Sequence, residues 1–175
     1  MHKSSFRKMR KFLLEYSQHF NSSPNRVLDF GSYDVNGSYR SLFTQSWHYT
    51  GIDLQDGPNV DLVPTNPYKW AEINNEECDL FISGQALEHC EYFWLVFEEI
   101  YRVLKPNGIA CIIVPSSGPE HKHPVDCWRF FPDGMKAVCK YSGLKVIKAE
   151  TDWSPDVESD GGHIWKDTLL IASKP

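Results

Sequence analysis

Hydrophobic positions along the chain change their spacing several times, and each change predicts a different structural element. The first segment carries apolar side chains at helical spacing, with basic residues mostly on the opposite face. These apolar positions are Phe6, Met9, Phe12, Leu13, Tyr16 and Phe20. We expect residues 1–24 to form an amphipathic helix and a linker packed on a domain of residues 25–175, rather than a membrane-surface or calmodulin-type helix.

Beyond residue 25, short apolar runs alternate with longer segments of helical periodicity. The runs, which predict strands, occur at residues 26–30, 48–54, 59–63, 78–83 and 108–115. Two segments, 91–104 and 132–141, have the wide apolar stripe of a packed helix, and the polar residues after Gly31 lead into a further helix-like segment up to residue 43. Alternation of strands and helices predicts a largely parallel sheet that is covered on both faces.

The C-terminal part of the chain breaks this alternation. Residues 143–153 and 163–175 are two extended segments joined by a polar loop rich in Asp, Gly and Ser. With no helix predicted between them, they should pair as an antiparallel hairpin. The predicted fold class is therefore α/β, with a single doubly wound, mostly parallel sheet and an antiparallel C-terminal edge hairpin.

Composition and charge narrow the functional classes. A content of 41% apolar and 23% charged residues suits one globular domain, and a net charge of −5 argues against a nucleic-acid or membrane partner. The chain has five cysteines and no C-x-x-C pair, which indicates buried thiols in a reducing cytoplasm rather than disulfides or a zinc site. We expect a cytoplasmic protein with a small-molecule ligand.

The turn after the first predicted strand is the main candidate for ligand binding. Gly31 ends the strand, but Tyr33 follows where a dinucleotide fingerprint would need small residues to admit a pyrophosphate. Asp53, at the end of the next predicted strand, can accept hydrogen bonds from both hydroxyls of a ribose. Asp29 can favour a cationic amino group. A nucleoside joined to an amino acid, as in S-adenosylmethionine, fits these features.

Four segments carry a resemblance to a known family: "VLDFGSYDVNGSY", "YTGIDLQDGPNVDLV", "CDLFISGQALEHCEYFWLVFEEIYRVLKPNGIACIIVPS" and "HKHPVDCWRFFPDGM". Together they resemble the class I S-adenosylmethionine-dependent methyltransferases, in particular the type 11 group, over about residues 25–141. The resemblance implies a Rossmann-like methyltransferase fold. It also implies S-adenosyl-L-methionine as cofactor, S-adenosyl-L-homocysteine as product and a small-molecule methyl acceptor.

The resemblance also implies which residues bind the cofactor. They are Asp29, Gly31, Ser32, Tyr33, Asp53 and Leu54 after the first two predicted strands, and Ser83, Gly84 and Gln85 after the fourth. In this assignment Asp53 binds the ribose and Leu54 packs on the adenine, with Thr65 or Asn66 nearby. The chain departs from the G-x-G-x-G turn of most members, because Tyr33 and Val35 stand at two of the glycine positions.

The acceptor side is predicted in a loop that follows the fifth predicted strand. Its chemically active residues are His121, His123, Asp126, Trp128 and Arg129. We expect His123 or His121 to act as base or substrate partner, Asp126 to orient a histidine, and Trp128 and Arg129 to shape the acceptor pocket. The resemblance adds His89 at the border of the methyl-transfer cleft.

Other interpretations of this loop stay open. Its polar residues can simply fix the loop, and a metal ion held by the two loop histidines, Asp126 and His163 is a further possibility. The leading functional prediction is methyl transfer to a small molecule, with O-methylation of a sugar or other metabolite preferred. A catalytically silent methyltransferase-like module is the alternative, and a nicotinamide-dependent dehydrogenase is disfavoured by the missing pyrophosphate turn.

Overall fold

The computed structural model describes residues 3–20, 24–153 and 162–175 of the chain. Its helices are α1 (Lys3–Glu15), α2 (Phe93–Val103), α3 (Pro132–Ser142) and the single turn α4 (Gly162–Trp165). Its strands are β1 (Asn25–Phe30), β2 (Trp47–Ile52), β3 (Cys78–Gly84), β4 (Leu104–Pro115), β5 (Lys145–Thr151) and β6 (Asp167–Ser173).

The strands form one six-stranded mixed sheet in the order β2-β1-β3-β4-β6-β5. The pairs β1 with β2, β1 with β3, and β3 with β4 are parallel. Strand β6 lies antiparallel between β4 and β5, so the predicted C-terminal hairpin is present and the predicted fold class is confirmed. The carboxyl ends of β1 to β4 meet at one edge, where doubly wound sheets bind their ligands.

Helices cover both faces of the sheet. Neighbouring residues of each strand point to opposite sides, so each strand contributes side chains to the cores on both faces. Val27 of β1 packs in the cluster that includes Met9 and Phe12 of α1, which are 0% and 1% exposed. Leu28, one residue later, belongs to the larger cluster beneath α2 and α3. The fully buried Trp70 also packs there, which anchors the long connection between β2 and β3.

Two predicted elements are wrong. The apolar run at residues 59–63 forms no strand and makes only an isolated bridge between Ile52 and Leu62. Asn59 turns the chain with φ of 71°, and Asp61 accepts a 2.7 Å hydrogen bond from the backbone of Gly51, so the run cannot extend a ladder. The helix-like segment after the first strand is likewise only a short 3-10 turn, Tyr39–Leu42.

Two further predicted features can be compared with the structure: the state of the cysteines and the length of the helices. All five cysteines are free, and four are buried, whereas Cys127 is exposed. Within the described ranges, no helix has both the length and the apolar character needed to cross a membrane.

Candidate active site

The turn after β1 is built around Gly31, whose φ is +78°. Its backbone N–H and that of Ser32 donate to the carbonyl oxygen of Ile52 at 2.9 and 3.1 Å. A Cβ atom on Gly31 would lie 2.2 Å from the Cβ of Ala86, in the segment after β3. Only glycine therefore lets the chain reverse here while β1 and β3 present their ends to the same edge.

The carboxylate of Asp53 lies beside this turn at the end of β2. One oxygen accepts the backbone N–H of Tyr33 at 2.9 Å, and the other accepts that of Leu54 at 2.7 Å. Each carboxylate oxygen has a second lone pair, so both can still accept a hydrogen bond from a ligand hydroxyl. The structure thus orients the carboxylate that the sequence assigned to the ribose.

The Asp29 carboxylate is 3% exposed and accepts a short hydrogen bond from the hydroxyl of Tyr49. Burial raises its pKa to about 7, while the hydrogen bond from Tyr49 and the nearby Arg40 act to lower it. The guanidinium of Arg40 lies 4.2 Å from the centre of the Tyr49 ring and donates to Asn59 at 2.5 Å. Asp29 therefore belongs to a buried polar cluster under the turn, and its predicted contact with a cofactor amino group stays a prediction.

The predicted residues at the end of β3 have distinct surroundings. The hydroxyl of Ser83 donates to the backbone oxygen of Phe30 at 2.9 Å and so links β3 to β1. Gly84 leaves room for the ring of Tyr39, whose hydroxyl would be 2.0 Å from a Cβ at this position. Gln85 has φ of 59° and donates through Nε2 to Asp167 at 3.1 Å.

The residues predicted near the adenine lie in exposed surroundings. Leu54 is 55% exposed, and the ring of Tyr33 packs against Gly57 in the loop after β2. Thr65 donates its hydroxyl to Glu72 at 2.6 Å, and the side chain of Asn66 accepts the backbone N–H of residue 68 at 2.8 Å. Because Thr65 and Asn66 are occupied within their own loop, their role at the adenine stays a prediction.

Two predicted cofactor residues, Ser32 and Gln85, each carry a buried polar atom without a partner. The hydroxyl of Ser32 and the amide oxygen Oε1 of Gln85 are buried and have no hydrogen-bond partner among the described residues. Buried polar atoms of this kind usually have a partner, such as a ligand or an ordered water. The Ser32 hydroxyl lies beside Gly51 of β2, and Gln85 directly follows β3, so their contact with a cofactor stays a prediction.

The sequence analysis did not single out Glu88, which the structure places beside His89. Its side chain is 0% exposed, and burial raises its pKa to about 8. The backbone oxygen of Glu88 accepts the N–H of Cys127 at 2.7 Å, which ties the loop after β4 to the segment after β3. The local sequence signal was an acidic residue between an apolar and a basic one. The burial of Glu88 depends on the distant loop after β4, which this local pattern does not show.

The loop after β4 brings its predicted residues close to His89. The rings of His121 and His123 have centres 4.9 and 6.2 Å from that of His89. The Asp126 carboxylate accepts hydrogen bonds from both terminal nitrogens of Arg129, at 2.6 and 2.8 Å. This ion pair holds the pKa of Asp126 well below its usual range.

Asp126 is paired with His121 rather than with His123. The backbone N–H of His121 donates to Oδ2 of Asp126 at 2.7 Å, and Nδ1 of the ring lies 3.3 Å from the same oxygen. His123 is exposed, and Trp128 donates its indole N–H to the backbone oxygen of Cys90 at 2.8 Å. The prediction that Asp126 orients a histidine thus has a specific partner, while the catalytic roles stay predictions.

Comparison with known proteins places this architecture in a family. A family model described as "Methyltransferase domain" matches residues 1–149. No curated protein matches the chain in sequence.

Among similar solved structures is the 1,6-didemethyltoxoflavin-N1-methyltransferase of Burkholderia thailandensis, with bound 1,6-didemethyltoxoflavin and S-adenosylhomocysteine. It is 16% identical with a TM-score of 0.72, over 98% of this chain and 79% of that chain. A methyltransferase from Archaeoglobus fulgidus is 16% identical with a TM-score of 0.65, over 97% and 95% of the two chains. The [4+2]-cyclase SpnF is 15% identical with a TM-score of 0.68, over 96% and 80%.

At these identities the solved structures show a shared fold, and the family model carries the assignment because it covers most of the chain. The predicted resemblance to the class I, type 11-like group is confirmed, and it implies S-adenosylmethionine as the cofactor. The chain therefore belongs to the methyltransferase domain family, with Gly31 and Asp53 at the edge of the sheet where its cofactor residues are expected.

Proposed function

We propose that the protein transfers a methyl group from S-adenosylmethionine to a hydroxyl of a compact small molecule, such as a sugar. The observation that carries this proposal is the Asp53 carboxylate, held beside the Gly31 turn by the backbone N–H of Tyr33. The cofactor supplies a methyl carbon already activated by a sulfonium. The protein's task is then mainly to bind, orient and exclude water.

The residues of the turn and of the end of β3 have complementary tasks in this proposal. Asp53 accepts the ribose hydroxyls, and the unpartnered atoms of Ser32 and Gln85 bind polar groups of the amino-acid tail. Asp29 adds negative charge beneath the turn, which favours a cationic amino group. The contact between Gly31 and Ala86 joins this cofactor side to the segment that carries His89.

The loop after β4 supports the acceptor side of the proposal. The ion pair between Asp126 and Arg129 gives the loop a fixed shape, and the 36% exposed Trp128 offers an apolar wall for the acceptor. His123 is exposed and can accept the hydroxyl proton, with His89 beside it. The Burkholderia enzyme, whose structure holds a small-molecule substrate, supports a small-molecule acceptor here.

Replacing Asp53 with alanine should weaken S-adenosylhomocysteine binding by about 10 to 100-fold, because two hydrogen bonds to a charged acceptor are lost. Titration calorimetry of the parent and variant measures this directly. Asp56→Ala is a matched control, because that exposed carboxylate lies in the same connection and should leave affinity unchanged. Equal affinity of parent and Asp53→Ala would remove the ribose assignment.

Once an acceptor is found by screening, starting with sugars, His123→Ala should lower kcat by at least about 100-fold if a hydroxyl proton must be removed. Binding of S-adenosylhomocysteine should stay as in the parent, since His123 lies on the acceptor side. Unchanged turnover of the variant would take His123 off the catalytic list. Methylation of nitrogen acceptors only would contradict the hydroxyl assignment.

A catalytically silent module is the second candidate. The observation that favours it is the substitution of the family's glycines at Tyr33 and Val35, and the cyclase SpnF illustrates that the fold alone does not fix the chemistry. The packing of the Tyr33 ring against Gly57 argues instead that the turn accommodates its bulk. Failure of folded parent protein to bind S-adenosylhomocysteine would place this candidate first.

A further inference from the structure

The carboxyl group of Glu88 is buried, with the residue 0% exposed, and both of its oxygens lack a hydrogen-bond partner in the described structure. An unpaired buried carboxylate is destabilising, so such groups are normally paired or coordinate a metal ion. The nearby guanidinium of Arg129 acts to lower the pKa of Glu88 but does not donate to it, so both oxygens are open to a cation or a hydrogen-bond donor.

His89 is oriented as a ligand rather than as a partner of this carboxylate. Its Nδ1 lies 2.6 Å from the backbone oxygen of Val125, which assigns the proton to Nδ1 and leaves the lone pair on Nε2. That Nε2 lies 3.8 Å from Oε1 of Glu88, beyond a direct hydrogen bond. A histidine whose other ring nitrogen donates to a carbonyl is the usual arrangement of a metal ligand.

His121 completes the group from the loop after β4. The candidate ligand atoms of Glu88, His89 and His121 all lie within 4.8 Å of one another. The ring of His121 packs against Trp165, with ring centres 4.4 Å apart, and its Nδ1 lies 3.3 Å from Oδ2 of Asp126. Three side chains from two separate segments thus converge without bonding to each other.

We propose that Glu88, His89 and His121 bind one divalent transition-metal ion of the zinc class. Two imidazoles and one carboxylate suit zinc or a similar ion, whereas calcium and magnesium require mainly oxygen ligands. Tetrahedral ligands at zinc distances lie about 3.4 Å apart, so the present separations need only small side-chain shifts to close around an ion. Three protein ligands leave at least one coordination position for an outside ligand.

This site differs from the one that the sequence suggested. Asp126 is already engaged by Arg129, and His123 is exposed, so neither belongs to the converging group. The side chain of His163 lies outside the described residues. The ion is held instead by the buried Glu88, which the sequence did not single out.

The position of the site links it to the proposed methyl transfer, although metal binding does not depend on that activity. An ion beside the acceptor loop can bind the acceptor oxygen and lower the pKa of its hydroxyl. In that arrangement His89 is a ligand, and the exposed His123 is the proton acceptor. This role, unlike the binding itself, rests on the proposed function.

Titration of metal-free protein, prepared without a His tag, with Co²⁺ tests the proposal through the visible absorption of the bound ion. We expect one tightly bound Co²⁺ per chain, displaced by Zn²⁺. Glu88→Gln and His121→Ala should weaken binding by at least about 100-fold, since even the outer partners of metal ligands contribute 10 to 100-fold. The controls His123→Ala and His48→Ala, at exposed histidines, should bind as the parent does.

Glu88→Gln keeps the size of the side chain and removes an ionisable group from a buried position, so it should fold, which circular dichroism verifies. Unfolding temperature gives a second readout, because Zn²⁺ should raise it in the parent and not in this variant. No stoichiometric Co²⁺ binding by the parent, or equal binding by Glu88→Gln, would overturn the inference. Calorimetry with S-adenosylhomocysteine tests the proposed function independently of Co²⁺ binding. Either the metal site or the methyl-transfer function can therefore be disproved while the other stands.

Discussion

Alanine in place of Gly31 is expected to lower the free energy of unfolding by about 3 to 5 kcal/mol and to abolish S-adenosylhomocysteine binding. The residue has φ of +78°, and its new Cβ would lie 2.2 Å from the Cβ of Ala86. Neither β1 nor the segment after β3 can move away easily, because β1 and β3 pair directly and Ser83 bonds to the backbone of Phe30. The turn must therefore deform.

Urea denaturation monitored by circular dichroism measures this loss. Gly134→Ala is the matched control, because nothing lies within 4 Å of a Cβ at that position in α3. The better helix propensity of alanine should raise its stability by up to about 1 kcal/mol. A Gly31→Ala variant as stable as the parent would show that the turn is looser than the structure describes.

Asparagine in place of Asp29 is expected to stabilise the protein at pH 8 by up to about 4 kcal/mol. Burial raises the pKa of the Asp29 carboxyl from 3.8 to about 7, so in the folded state ionisation is opposed up to about pH 7 and carries a free-energy cost above it. Asparagine is uncharged and can still accept the hydrogen bond from Tyr49 through its side-chain oxygen. The variant should therefore remove the cost of ionisation while keeping the contact.

The sign of the pH dependence follows from the raised pKa. Below pH 3.8, Asp29 is protonated in both the folded and the unfolded chain, and the two proteins should be equally stable. Between pH 3.8 and about 7, only the unfolded chain ionises, so the parent loses stability with rising pH. Above about pH 7 the difference should reach a plateau.

Unfolding free energies of parent and Asp29→Asn at several pH values between 4 and 8 test this profile. Asp133→Asn is the control, since that carboxylate is 95% exposed and should give no pH-dependent gain. A constant difference across the range would mean that Asp29 ionises in the folded protein as it does in the unfolded chain. The expected result would show that Asp29 is retained at a cost to stability, which suits a residue kept for a cationic ligand.

The position of a candidate residue in the fold could be predicted where a single short segment of the sequence defines it. Gly31 and Asp53 could be assigned because each follows a strand whose apolar run is clear in the sequence. Both strands are present, and the two residues lie at the same sheet edge. Their roles in cofactor binding stay predictions.

Residues whose environment depends on distant segments could not be predicted in the same way. Glu88 is polar in the sequence and exposed by default, yet the loop around Cys127 closes over it. The choice of His121 over His123 as the partner of Asp126 depends on the path of that loop. The apolar run at residues 59–63 forms a loop because Asn59 donates a hydrogen bond to Ser32 and Asp61 accepts one from Gly51 of β2. The spacing of apolar residues does not reveal such long-range hydrogen bonds.

The amino-acid sequence by itself determined the six strands that form the sheet, the helices α2 and α3, the C-terminal hairpin and the glycine turn, because spacing and backbone preference are local properties. The tertiary structure decided which polar groups are buried and which meet. Burial of Asp29 beside Tyr49, and of Glu88 beside two histidines, arises only when the sheet and its loops close together. Desolvation, which sets their chemistry, is a property of that closed arrangement.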